Sequence, residues 1–138
     1  IAYALFGVGH YKESLQWVNK ILNSHTLDKD ELFGYANLFN LILHYELENN
    51  RLLPYTLKSV ERLYGRKEED KSFEKLFLNY FKRIIKKDKE INKIELFYDL
   101  HENIQTNNQQ NSIPMEYFRF DYWVESKAKN KEFASLFH

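Results

Sequence analysis

One stretch of this chain, residues 32–48, constrains the fold more than any other. Leu32, Ala36, Phe39, Leu43 and Leu47 recur at helical spacing and form one apolar stripe. Tyr35, Leu38, Ile42 and Tyr45 form a second stripe on another side of the same helix. A helix that is apolar on two sides has to be covered on two sides, so it predicts packed neighbours on both flanks. Only Asn37, Asn40 and His44 are left for a polar edge, and spacings of three and four residues put them on one face.

The flanking sequence supplies candidate neighbours. Residues 1–6 read as the end of a helix, broken by Gly7 and Gly9, because glycine readily takes the left-handed backbone a helix exit requires. The spacing predicts a helix over 12–23, with Leu15, Val18 and Leu22 in one stripe and Trp17 and Ile21 beside it. Asp28, with Glu31 three positions on, has capping-box spacing for the double-striped helix. Glu48, Asn49 and Asn50 read as a tight turn.

A helix over 52–64 follows, tolerating Pro54 in its first turn and stopping at Gly65. Further helices are expected over 71–87, carrying Phe73, Phe77, Tyr80 and Ile84, and over 89–106, carrying Ile94, Phe97, Leu100 and Ile104. The polar run 107–111 reads as a loop. Ser112 is placed to cap a helix that starts near Pro114 and reaches about 129, before a short one over 131–137. The turns near Gly9, Asn49 and Asp88 fall about 40 residues apart, each between two amphipathic segments, as in stacked helical hairpins.

Composition removes several alternatives. Four glycines and two prolines are too few for the frequent turns of an all-β fold. Twenty Lys and Arg balance twenty Asp and Glu, so no global charge drives the chain toward nucleic acid or an anionic membrane. The absence of cysteine removes disulfides, thiolate zinc sites and thiol catalysis. No apolar run approaches the roughly 20 residues that span a bilayer. A helical pattern already running at Ile1 leads to the expectation of a C-terminal piece of a longer protein. Cytoplasmic location is expected, with any N-terminal targeting signal lying upstream.

Two segments resemble tetratricopeptide-like proteins. Gly9, Tyr11 and Ser14 fill the places of the glycine, aromatic and small residue around that repeat's turn, with Ser14 replacing the usual alanine. Residues 39–64 look like a following repeat, although its turn at Glu48, Asn49 and Asn50 has no glycine and the period is longer than the family's. The blocks 39–47 and 118–127 look similar to divergent tetratricopeptide-like proteins of Bacteroidetes bacteria. The resemblance implies an all-α, right-handed α-α superhelix: a single helical-repeat domain over 1–138, with hairpins over 1–106 and a loop and C-terminal cap over 107–138. It also implies a concave groove that holds a protein or peptide.

On that reading Asn37, Asn40 and His44 line the groove, with Tyr80 and Lys87 as neighbours on the next hairpin. Asn40 and His44 are close enough on one face to hydrogen-bond to each other. Tyr3 and Phe6 are expected to leave an apolar face exposed on the first hairpin, for upstream chain or a second copy to cover. The segment 82–93 carries Lys82, Arg83, Lys86, Lys87, Lys89 and Lys93 against Asp88 and Glu90. Such a cluster offers phosphate contacts, making nucleic-acid binding the alternative function, but lysines at a helix C-terminus also simply oppose the helix dipole. The aromatic C-terminal region (Tyr117, Phe118, Phe120, Tyr122, Trp123, Phe133, Phe137) reads as the seal on the end of the stack rather than a peptide groove.

No catalytic role is expected. The five histidines are scattered without metal-ligand spacing, and there is no nucleophile elbow or phosphate-binding glycine loop. No metal or cofactor is therefore expected.

Overall fold

The computed structural model describes residues 6–7, 9–23, 31–65, 72–86, 89–106 and 119–136. Among them there are six α-helices, one 3-10 turn and no strand. The helices are α1 (Tyr11–Leu22), α2 (Glu31–Glu46), α3 (Leu53–Gly65), α4 (Ser72–Ile84), α5 (Glu90–Thr106) and α6 (Phe120–Lys129). The 3-10 turn, η1, covers Phe133–Leu136. Phe6 and Gly7 are also helical. The all-α expectation therefore holds, and the boundaries of α1, α3, α4 and α5 fall within three residues of the sequence reading, whereas α6, expected to run on from near Pro114, starts only at Phe120, with Arg119 as its non-helical N-cap. Asp28, residues 66–70, Lys87, Asp88, residues 107–118 and Phe137 lie outside the described residues, as do the side chains of Leu32, Tyr35 and Tyr64.

The chain divides into two compact units, one of residues 1–63 and 116–118, the other of residues 64–115 and 119–138. In the first, α1 packs on α2. Ser14 and Val18 are the buried residues of α1. Phe6 lies edge-on to Phe39 of α2, with ring centres 5.4 Å apart, and also meets Tyr11 at 5.1 Å. Phe6 is 2% exposed. For Phe6 the expectation of an exposed apolar face is thus corrected, since its ring meets Tyr11 and Phe39, while Tyr3 lies outside the described residues. Trp17 is 38% exposed, with Lys20 Nζ 4.7 Å from its ring centre.

Leu38, Leu41, Ile42 and Leu43 are fully enclosed, so nearly the whole girth of α2 is buried. Both predicted stripes contribute, since Leu43 belongs to one and Leu38 and Ile42 to the other. The turn after α2 bends back through Glu48, whose φ of 56° is left-handed. Leu52 and Leu53 then donate their main-chain N–H groups to the Asn49 carbonyl, which starts α3. Leu53, Leu57 and Val60 form the buried face of α3.

In the second unit, Phe73, Phe77 and Phe81 stand four residues apart on α4 and are all buried. Their rings contact Phe120 and Trp123 of α6, and Phe97 of α5 meets Trp123 edge-on at 5.4 Å. Each enclosed aromatic of this size contributes on the order of 1.5–3 kcal/mol by burial alone. Phe120 and Trp123 are thus interior residues of this unit. Asn130 closes α6 with φ 53° and ψ 48°, donating its N–H to the Ser126 carbonyl. The next residue, Lys131, donates to the same carbonyl. η1 then packs back on α6.

Candidate functional site

The polar edge of α2 is the best-formed candidate. Asn37, Asn40 and His44 are each half-buried at intervals of three and four residues. The expected Asn40–His44 bond gives way to another arrangement. Nδ1 of His44 accepts a hydrogen bond at 2.9 Å from Nδ2 of Asn49. An acceptor at Nδ1 leaves the ring proton on Nε2. Burial lowers the pKa of His44 from its ordinary value, which favours the neutral ring. The side-chain oxygen of Asn40 is buried and accepts no hydrogen bond. An orphaned buried acceptor costs about 1–3 kcal/mol, so the site holds an unmet demand for a donor.

On α1, the Tyr11 phenol is pushed up first by burial and then by the charge of Glu46, the last residue of α2. At about 100° per residue Glu46 lies on the side of α2 opposite His44, so this pair is separate from the polar edge. Sequence reasoning missed this pair and also Asn49, which it took only as a turn residue. The signal for Asn49 was its position five residues beyond His44, the distance at which a chain leaving a helix can fold back on its last turn.

The other expected contacts lie elsewhere. Tyr80 stands on α4 in the second unit, where its hydroxyl accepts a 2.7 Å hydrogen bond from Nδ2 of Asn103 on α5. The Arg83 guanidinium sits 5.2 Å from the Tyr80 ring centre. Tyr80 thus ties α4 to α5. Lys87 lies outside the described residues. Of the basic segment, Lys82, Arg83, Lys86 and Lys89 are exposed and Lys93 is half-buried.

Two further polar pairings in the second unit were not predicted from the sequence. His101, one of the five scattered histidines, is 6% exposed. Its Nε2 lies 3.8 Å from Oε1 of Glu125, while its Nδ1 is buried without a partner. At the start of α6, Arg119 donates through Nε and Nη2 to both carboxylate oxygens of Asp121 and lies 3.7 Å over the Tyr122 ring. Hydrogen bonding to Asp121 holds the Arg119 charge more firmly than usual. Among the described residues, no group of three or more His, Asp or Glu side chains is placed to hold a metal ion. No helix among them is long and apolar enough to cross a membrane.

The described residues are thus all-α, with a polar helix edge in which Asn49 holds His44 and the buried Asn40 oxygen lacks a donor. No protein-family profile, no curated protein and no solved structure matches the chain.

Proposed function

We propose that the chain is a non-catalytic interaction module that holds a segment of another protein against the polar edge of α2. The observation carrying this reading is the pairing of a directed donor with a needy acceptor one helical turn apart. His44 presents Nε2–H because Asn49 occupies Nδ1. Asn40 holds a carbonyl oxygen that lacks a donor. A peptide group has the complementary pair, a C=O for His44 and an N–H for a reoriented Asn40 amide. Half-buried apolar neighbours make such bonds stronger than they would be in open water.

We further propose a tetratricopeptide-like superhelix as the architecture behind this role. The buried small residue at Ser14, the left-handed Gly9 before α1 and the mutual packing of α1 with α2 and of α4 with α5 support it.

The test is selection from a displayed peptide library, followed by titration of the selected peptides. Asn40→Ala combined with His44→Ala should weaken binding by about tenfold or more, equivalent to ~1.4 kcal/mol, with helical circular dichroism retained. N-methylation of the contacted peptide amide should cost a similar factor. Affinity unchanged by both alterations would remove this edge from any binding role.

A further inference from the structure

Charge is segregated on two neighbouring helices of the second unit. The exposed residues of α4 are Lys75, Asn79, Lys82 and Arg83, continued past its end by Lys86, and no carboxylate interrupts them. The one acid on the helix, Glu74, is buried. The exposed residues of α5 from Glu95 onward are Glu95, Tyr98, Asp99, Glu102, Gln105 and Thr106, with no cation among them.

The two ridges share a spacing. Residues 75, 79, 82 and 86 are separated by four, three and four positions, as are residues 95, 99, 102 and 106. Residues 75, 79 and 82 share one face of α4, which Lys86 follows just past its end, and residues 95, 99, 102 and 106 share one face of α5. On α5, Glu95 and Asp99 are like charges four apart and Asp99 and Glu102 three apart, each such pair destabilising the helix by about 0.2–0.5 kcal/mol. Interspersing both signs on each surface would avoid that cost.

We infer that this unit associates with a second copy of itself, the basic ridge of α4 in one copy lying along the acidic ridge of α5 in the other. Charge complementarity in matched spacing carries the inference, since each copy brings both halves of the contact. Equal numbers of acidic and basic residues in the whole chain mean that two copies meet without net repulsion. Tyr98, half exposed within the acidic ridge, gives the contact an apolar element and a ring face for an opposing lysine or arginine. An extended nucleic acid would use only the basic ridge and would leave the matched acidic one unexplained.

The experiment is sedimentation equilibrium of the full chain at about 20 mM and about 500 mM salt, where screening differs severalfold. Association is expected at low salt and its loss at high salt. Reversing the basic ridge with Lys75→Glu, Lys82→Glu and Lys86→Glu should give a monomer at low salt, with helicity checked by circular dichroism. If that variant loses helicity, the milder Lys→Gln set at the same positions replaces it. Adding Glu95→Lys, Asp99→Lys and Glu102→Lys to the reversed chain exchanges the two ridges at unchanged net charge and should restore association. A wild-type chain that stays monomeric at low salt overturns the inference. So does an exchanged chain that fails to associate while remaining helical, or a monomer whose basic ridge instead captures single-stranded DNA in a salt-dependent way.

Discussion

Asn49 is joined to His44 twice. Its side-chain Nδ2 donates to Nδ1 of the ring at 2.9 Å, and its main-chain N–H donates to the His44 carbonyl at 3.0 Å. The turn that ends α2 is therefore also the device that sets the tautomer of the helix's most chemically versatile side chain. Asn49→Ala keeps the main-chain bond and removes the other. The stability loss should be near 1 kcal/mol, the usual net worth of one such bond, measured by urea unfolding. Nitrogen NMR of the imidazole should show the Nε2–H form dominant in the wild type and a mixture of tautomers in the variant. A variant with an unchanged tautomer balance would mean that Asn49 does not orient the ring.

Acidification should act on the same residue. The folded pKa of His44 is lowered by burial below its ordinary 6.5. In the window beneath that value the unfolded chain binds a proton that the folded chain resists, so stability falls as pH falls. The contribution is complete above 6.5 and is lost through the window below it. Urea midpoints between pH 7 and about pH 5 should therefore decline less steeply for His44→Gln than for the wild type. Parallel curves would show that His44 keeps its ordinary affinity for protons in the fold.

Two turn positions should respond in opposite directions to glycine chemistry. Glu48 carries a side chain at φ 56°, a left-handed conformation that costs an ordinary residue about 1–2 kcal/mol. Glu48→Gly relieves that strain but loosens the unfolded chain, for an expected net gain of about 0.5–1 kcal/mol. Gly9 has φ 83°, and a methyl group placed on it would meet nothing within 4 Å. Gly9→Ala should therefore destabilise through backbone strain alone, by about 1 kcal/mol. Thermal unfolding of both variants tests the pair, and a destabilised Glu48→Gly would show that the turn is unstrained.

These turns also show what was legible in the sequence. Glycine at position 9 announces its left-handed backbone, whereas Glu48 adopts the same conformation with no glycine to signal it. Periodicity located the helices well because burial is imposed on α2 and α4 at 3.6-residue intervals, and Phe73 and Phe77 fell on the face predicted to be apolar. Side-chain pairings were harder to read. Asn40 and His44 have the right spacing to bond, yet His44 turns to Asn49 because the chain doubles back there. His101 and Glu125 are separated by a long stretch of sequence, and no local pattern announces that α6 brings them together. Tyr80 looked like a surface contact, but its hydroxyl is taken by Asn103 from another helix.

The two tryptophans provide a built-in reporter for the aromatic centre of the second unit. Trp123 is 1% exposed and is ringed by Phe77, Phe81 and Phe97, whereas Trp17 is 38% exposed beside Lys20. Trp17→Phe should leave a blue-shifted emission that is poorly quenched by iodide, because the remaining indole sees neither water nor ions. Trp123→Phe should leave the red-shifted, quenchable emission of Trp17. Trp123→Ala goes further and opens a cavity among three rings, so it should cost about 3–5 kcal/mol in urea unfolding. That is a large part of the 5–15 kcal/mol that typically holds a domain together. A Trp123→Ala chain with near-wild-type stability would mean that the rings of α4 and α5 close over the gap, and the second unit would then owe its cohesion to some other contact.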